Sequence, residues 1–283
     1  MGQLVDGKAI ATRVRARVRD DIIRSGITPG LAVVLVGHDP ASHLYVKLKE
    51  RACAEVGIRF EQHLFFATAA LTDIERRIHD LGDRSDIDGV LVQLPLPPPL
   101  DEDRIVAAIP PEKDVDGFHP RNVERLLRGD PLIVPALGKA ILALIDATDV
   151  SLKGGAVSVL ANSETFCRPI EALLRAQGAT TNRFAPFLPG THREEDVARS
   201  DIVISALGCG GCIGPAYVRP GAVLIDVGIT KDPGGNLRGD FSPEAQVRSG
   251  WFTPVPGGVG PMTVAMLLEN VLEAAQKRPE GSS

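Results

Sequence analysis

Two runs in the first third of the chain are apolar at nearly every position: LAVVLVG (31–37) and DGVLVQLPL (88–96). Runs of this length without alternation predict strands buried on both faces, as in a parallel sheet covered by helices. Between them the pattern predicts helices over 42–56 and 71–81. The proline cluster PLPPPL (95–100) ends the second strand, and a further helix is predicted over 102–108. After PEKDVDGFHP (111–120) the chain changes character. A helix in PALGKAILALIDATDV leads to a strand at 156–160. A helix over 168–177, a strand at 180–184, a helix over 193–199 and the strands DIVISAL and AVLIDVGI follow. In the tail GPMTVAMLLENVLEAAQK, residues Val264, Met266, Leu267, Leu268, Val271 and Leu272 form a stripe wide enough for a buried helix. The alternation predicts an α/β protein of two α/β domains, the second a Rossmann-like doubly wound parallel sheet. The expected domains are 1–121, with a C-terminal helix over 261–279 packing back on it, and 122–260.

Composition narrows the partners. The chain has 283 residues, 44% of them hydrophobic, and a formal net charge of −5 with acids and bases interspersed. That is enough apolar material for a large core, and no basic block suggests a nucleic-acid partner. The apolar runs are strand-length rather than membrane-length, so no membrane partner is expected. The start MGQLVDGKAIATRVRARVRD has charges throughout and no apolar core segment, which predicts a cytoplasmic protein. Four cysteines make no disulfide framework. Cys209 and Cys212 in LGCGGCIG form a lone C-x-x-C without a second pair; an ordinary glycine-rich loop is preferred there over half a zinc site or a redox motif. No metal site is expected.

Candidate chemistry concentrates at a few positions. Pro40 and Ser42 suit a helix start, and Tyr45 and Lys49 lie four apart on one helical face. Gln93 stands inside an apolar run, where a buried amide must find partners. Asp114 and Asp116 precede Gly117 in KDVDGF, a pattern of solvated turn formers or of metal ligands.

The blocks S-x-x-Y-V-x-x-K, VQLPLP, P-x-KDVDGF-x-P and TPVPGGVGPMT, with IDVGI and a later GD, resemble in order and spacing the signatures of the bifunctional methylenetetrahydrofolate dehydrogenase/cyclohydrolase family. The resemblance covers nearly the whole chain. It implies a folate cleft between the two domains, with Lys49 catalytic, Tyr45 positioning the folate and Lys49, Gln93 touching Lys49, and Asp116 holding the pterin. Pro256, Gly257 and Gly258 would line the folate side. Tetrahydrofolate carries the one-carbon unit: 5,10-methylene-tetrahydrofolate is oxidised by hydride transfer to the methenyl cation, which is then hydrolysed to 10-formyl-tetrahydrofolate. The resemblance further implies NADP as cofactor, contacts to it from Ala161, Asn162, Ser163 and Ile229, and a homodimer built through the second domain.

The second domain departs from the family pattern. Where relatives carry Gly-Arg-Ser and a second glycine, this chain has Ala161-Asn162-Ser163 and then Cys167, with Pro169 retained. Pro135-Ala136-Leu137-Gly138 replaces Pro-Cys-Thr-Pro, and Phe184-Ala185-Pro186 replaces Cys-His-Ser. A side chain at Cys167 is expected to crowd the turn, and the missing arginine removes a partner for a 2′-phosphate. Arg183 is a candidate to compensate. The expectation is therefore a retained cyclohydrolase step with a weakened dehydrogenase step, NADP being bound poorly, lost or replaced by NAD. The alternatives are a fully bifunctional enzyme and a folate-binding module without turnover.

Overall fold

The computed structural model describes residues 2–191 and 193–278. His192 of the segment FLPGTHR and residue 279 of the expected last helix lie outside the described residues. In chain order the elements are β1 (Gln3–Leu4), α1 (Gly7–Ser25), β2 (Gly30–Val36), α2 (Pro40–Val56), β3 (Arg59–Phe65), α3 (Leu71–Gly82), β4 (Gly89–Val92), α4 (Glu102–Ala107), α5 (Pro120–Leu127) and α6 (Ala136–Asp146). They continue with β5 (Ala156–Ala161), α7 (Glu164–Ala176), β6 (Thr180–Phe184), α8 (Glu194–Ala198), β7 (Ile202–Ala206), β8 (Val223–Asp226), β9 (Thr230–Lys231), β10 (Leu237–Arg238), α9 (Pro243–Arg248), β11 (Trp251–Phe252) and α10 (Val259–Gln276).

The chain divides into two compact units. One comprises Thr12–Ala136 and the chain from Val264 onward; the other comprises the chain up to Ala11 and Leu137–Thr263. The expected boundary at 121/122 falls inside α5, and the division comes instead at 136/137. The first eleven residues join the second unit because β1 pairs with β11, Gln3 opposite Trp251 and Leu4 opposite Phe252.

In the first unit β2 is the centre of a parallel three-stranded sheet ordered β3-β2-β4, and all seven of its residues are buried. Ile74, Ile78 and Leu81 of α3 and Ile105 of α4 pack on Val34, Val36, Val90 and Val92. Each such side chain contributes about 1.5–3 kcal/mol by leaving water. The strand expected over 88–96 stops at Val92, although Gln93 N–H still donates to Val34 O at 2.9 Å. Pro95 cannot donate, and the chain leaves the sheet there. Strand β3 was not predicted, because RFEQHLF is polar at most positions. It lies at the sheet edge, where Glu61 takes two bonds from Arg84 (2.8 and 2.7 Å), so polar side chains face water at little cost.

The second unit holds a parallel six-stranded sheet ordered β1-β11-β8-β7-β5-β6, two strands more than expected. From β5 the chain moves outward to β6, then crosses back to β7 on the other side. The carboxyl ends of β5 and β7 therefore flank the topological switch point, where doubly wound folds bind ligands. Leu160, Val203, Leu224, Phe187 and Tyr217 form part of the core beneath it. Helix α7 begins at Glu164, four residues before its expected start. Ser163 caps it, its hydroxyl accepting from Phe166 N–H, so Pro169 stands within the helix rather than in its first turn. Among the described residues no helix is long and apolar enough to cross a membrane.

Candidate active site

In the first unit, α2 sets the spacing of the candidate residues. Its N-cap is Asp39, whose carboxylate accepts from Ser42 N–H and Ser42 Oγ–H, both at 2.8 Å, and Pro40 occupies the first turn. Gly57 closes the helix in the left-handed conformation (φ 90°). Between these ends Tyr45, Lys49 and Cys53 follow one another at intervals of four along one face.

Lys49 reaches the end of β4. Its Nζ donates to Gln93 Oε1 at 2.7 Å, while Gln93 Nε2 donates to the Leu94 carbonyl at 2.7 Å. The second bond commits the amide nitrogen to the backbone, which leaves the oxygen to face Lys49. The buried amide in the apolar run thus has a partner on each side. Burial pulls the Lys49 ammonium below its ordinary value, against the opposing charges of Asp116 and Cys53. A neutral amide partner adds no charge that would raise it again. Burial also raises the Tyr45 hydroxyl above its usual value.

Asp116 is placed by a turn whose supports are spread along the sequence. The Asp114 carboxylate is buried and accepts from Gly117 N–H (3.1 Å), His119 N–H (2.7 Å) and Asn122 Nδ2 (3.0 Å). Asn270 of α10 donates to the carbonyls of Val115 (2.8 Å) and Val134 (3.0 Å). Gly117 has φ +84°, and a Cβ there would come within 2.6 Å of Pro135 Cα, so only glycine closes the turn. Desolvation pushes the Asp116 carboxyl up to about 6; Lys49 opposes the rise and Asp114 adds to it. The two acids of KDVDGF therefore do different work: Asp114 is an internal anchor, not a solvated turn former, and Asp116 is the group presented by the turn. Among the described residues no cluster of three or more His, Cys, Asp or Glu could hold a metal ion. The anchoring roles of Asp114, Asn122 and Asn270 were missed from sequence. An Asp followed by Gly three residues on and His five residues on was the available signal for the first.

The candidate cofactor residues lie in the second unit. Ala161, Asn162 and Ser163 form the turn from β5 into α7 at the switch point, and Ile229 follows β8 with an exposed side chain. Among the described residues every positive φ belongs to a glycine, so the turn from 161 to 169 closes without needing one. The expected crowding by Cys167 does not occur. Its side chain is fully buried inside the unit, and burial pushes the thiol up to about 11. Asn162 Nδ2 donates to the Leu207 carbonyl at 3.0 Å, joining this turn to the loop after β7. Arg183 is already committed: its Nε donates to Glu171 at 2.7 Å and its guanidinium pairs with Glu164 at 3.2 Å. The strand–turn–helix thus fits the part common to NAD and NADP, with the thirteen-residue helix α7 starting at the switch point. Arg183 could meet a 2′-phosphate only by leaving two carboxylates.

Pro256, Gly257 and Gly258 also belong to the second unit. Gly257 has φ +112° and its carbonyl accepts from Lys8 N–H at 2.9 Å. A Cβ on Gly258 would lie 2.7 Å from Thr253 Cβ and from Pro254 O, so the chain's own packing requires glycine there.

Comparison with known proteins extends these observations to the whole chain. Residues 5–116 match the family model of the tetrahydrofolate dehydrogenase/cyclohydrolase catalytic domain, and residues 135–279 match that of the tetrahydrofolate dehydrogenase/cyclohydrolase NAD(P)-binding domain. The bifunctional protein FolD of Geobacillus thermodenitrificans is 41% identical over 283 residues, covering 97% of this chain and 98% of its own. The crystal structure of the bifunctional FolD methylenetetrahydrofolate dehydrogenase/cyclohydrolase from Campylobacter jejuni superposes with a TM-score of 0.92 at 34% identity, over 99% of this chain and 100% of that one. The Trypanosoma brucei N5,N10-methylenetetrahydrofolate dehydrogenase-cyclohydrolase, solved with NADP and an inhibitor, gives a TM-score of 0.91 at 33% identity, over 98% of each chain.

Proposed function

The chain belongs to the tetrahydrofolate dehydrogenase/cyclohydrolase family and is an enzyme of it, and from that premise we propose that it performs both reactions, oxidising 5,10-methylene-tetrahydrofolate and hydrolysing the methenyl product to 10-formyl-tetrahydrofolate. The observation that carries the reading is the Lys49–Gln93 contact at 2.7 Å, on a lysine whose pKa burial lowers, beside the raised carboxyl of Asp116. Water adding to a cationic carbon must shed a proton, and Lys49, whose charged form burial disfavours, is the group placed to take it. Gln93 holds the amine in place, Tyr45 supports the flat ring of the substrate, and the Asp116 carboxylate accepts from the pterin's N–H groups.

Ala161, Asn162, Ser163 and Ile229 hold the dinucleotide, which when bound supplies the hydride acceptor. The expectation of a weakened dehydrogenase step gives way to the fully bifunctional alternative. Its supports are the match of residues 135–279 to the NAD(P)-binding domain and a turn that closes without glycine. The reading includes a cytoplasmic homodimer, which light scattering on the purified chain checks for its oligomeric part.

Calorimetric titration with NAD and with NADP, paired with assays of both steps, tests the proposal. Binding of at least one dinucleotide, with folate-dependent reduction of it and accelerated decay of the methenyl absorbance, is expected. Hydrolysis without reduction of either dinucleotide would leave only the cyclohydrolase. Folate binding without either reaction would leave a binding module.

A pH dependence follows from Asp116. Its pKa of about 6 means that the carboxylate is lost on acidification through that value and is fully present well above it. Affinity for a non-hydrolysable folate analogue should be flat above pH ~7 and should fall about tenfold per pH unit well below pH ~6. Asp116→Asn should bind weakly at every pH. A wild-type profile flat down to pH ~5 would exclude the ionised Asp116 as the pterin's acceptor.

A further inference from the structure

We propose that Cys209 and Cys212 form a thiol–disulfide exchange site, and that its state tunes dinucleotide affinity at the adjoining switch point; the second clause rests on the dinucleotide reading above. The two cysteines are joined as a disulfide, with Cα atoms 5.6 Å apart, in the loop that leaves the carboxyl end of β7. Gly210 and Gly211 between them are exposed, and both sulfur-bearing residues are half-buried, so a small reagent can reach the pair. The chain's other cysteines, Cys53 and Cys167, are fully buried.

The bond spans only two intervening residues, so it restricts the unfolded chain little and adds least to stability among disulfides. Cys209 and Cys212 pack only on the margin of the unit's core, whose buried body is Leu160, Val203, Leu224 and their neighbours. Among the described residues no third His, Cys, Asp or Glu joins the pair to make a metal site. Exchange chemistry remains the use that an accessible, weakly structural pair of sulfurs supports.

The loop is tied on two sides. Behind it, the buried Asp240 carboxylate accepts from Leu207 N–H and Cys209 N–H, both at 2.8 Å, while Gly211 N–H donates to Gly239 O and Ile213 N–H to Asp240 O, both at 2.9 Å. In front, the Leu207 carbonyl accepts from Asn162 Nδ2 of the β5–α7 turn. A change in the loop's freedom therefore reaches the turn through one hydrogen bond. With the disulfide closed the loop is ordered before the dinucleotide arrives; with it open, binding must order the loop as well, and affinity falls.

The reaction balances with a low-molecular-weight disulfide as oxidant. One cysteine thiolate attacks it, releasing one thiol and forming a mixed disulfide. The second cysteine then displaces the other thiol and closes the Cys209–Cys212 bond. Two protein thiols are oxidised, one external disulfide is reduced to two thiols, and the two protons pass to the products. An external dithiol runs the reverse.

The test equilibrates the full-length protein in reduced and oxidised glutathione mixtures, alkylates the folded protein, and reads the mass. Two alkyl groups, mapped to Cys209 and Cys212, are expected under reducing conditions and none under oxidising ones. NAD and NADP dissociation constants are then measured in both states. The oxidised form should bind about fivefold tighter or more, and the Cys209→Ser/Cys212→Ser double variant should show a single affinity, near that of the reduced form, in every mixture. Full alkylation at all glutathione ratios would overturn the exchange site. A disulfide that closes without changing either dissociation constant would overturn the coupling. If neither dinucleotide binds in either state while the pair still titrates, the dinucleotide reading fails and takes the coupling with it, and the exchange site stands on its alkylation pattern.

Discussion

Replacing Lys49 by methionine is expected to slow methenyl-tetrahydrofolate hydrolysis by about 10³-fold, within the range of a lost proton-transfer group. The substitution keeps most of the apolar stem and removes only the amine. It leaves Gln93 Oε1 without its donor, a local cost of about 1–3 kcal/mol, and the strand around it is otherwise unchanged. Arginine at 49 should not rescue, because a guanidinium keeps its proton at any working pH. Hydride transfer needs no proton carrier and should fall less than hydrolysis. Folate binding should persist, since Asp116 and its anchors remain. The decay of the methenyl absorbance at saturating substrate is the measurement, with circular dichroism as the check on folding. A variant that keeps more than about a tenth of the wild-type rate would remove Lys49 from the proton path.

What could be read from the chain depended on how local its physical cause was. Strands β2 and β5 announced themselves because both of their faces are buried, which makes β2 apolar throughout and β5 apolar but for Ser158, whose buried hydroxyl bonds that of Ser200. Strand β3 did not, because an edge strand with one wet face tolerates Arg59, Glu61, Gln62 and His63. Tyr45 and Lys49 were legible as neighbours from helical spacing alone, and Gln93 stood out as an amide in an apolar run. The group that fixes Asp116 was not legible in the same way. Asn270 lies 155 residues from the carbonyl of Val115 that it holds, and no pattern in the sequence couples them.

The turn after β5 shows the opposite failure, a local rule applied where its premise is absent. A glycine is needed where φ is positive or where a Cβ would strike something. Neither condition holds between Ala161 and Pro169: the backbone stays at negative φ, and the Cys167 side chain turns into the core. Placing the start of α7 at residue 168 rather than at Glu164 made the turn look longer and more damaged than it is. The loss that does remain is electrostatic, since Arg183 is held by Glu164 and Glu171.

Replacing Asp240 by alanine should destabilise the second unit by about 4 kcal/mol, near the upper end for a single substitution. Its carboxylate is fully buried and accepts from Ser205 Oγ–H (2.7 Å), Leu207 N–H (2.8 Å) and Cys209 N–H (2.8 Å). Alanine would leave three donors buried without an acceptor, each costing about 1–3 kcal/mol. Part of that cost is offset at Asp226, whose ionised form the Asp240 charge opposes. Desolvation is the main cause that pushes its carboxyl up to about 7, and the nearby Asp240 charge adds to the rise. Because the folded value for Asp226 lies above the unfolded one, ionising it costs stability, and that cost grows as pH rises from about 4 to about 7. The penalty for Asp240→Ala should therefore be smaller at pH ~8, where the lost repulsion matters, than at pH ~5. Asp240→Asn keeps one acceptor oxygen and should cost less than the alanine variant at either pH. Trp251, the chain's single tryptophan, lies on β11 inside this unit, so its fluorescence during denaturant unfolding reports on the unit directly. An alanine variant whose midpoint stays within about 1 kcal/mol of the wild type would mean that the three donors find water instead, and that the loop after β7 is held by its neighbours rather than by Asp240.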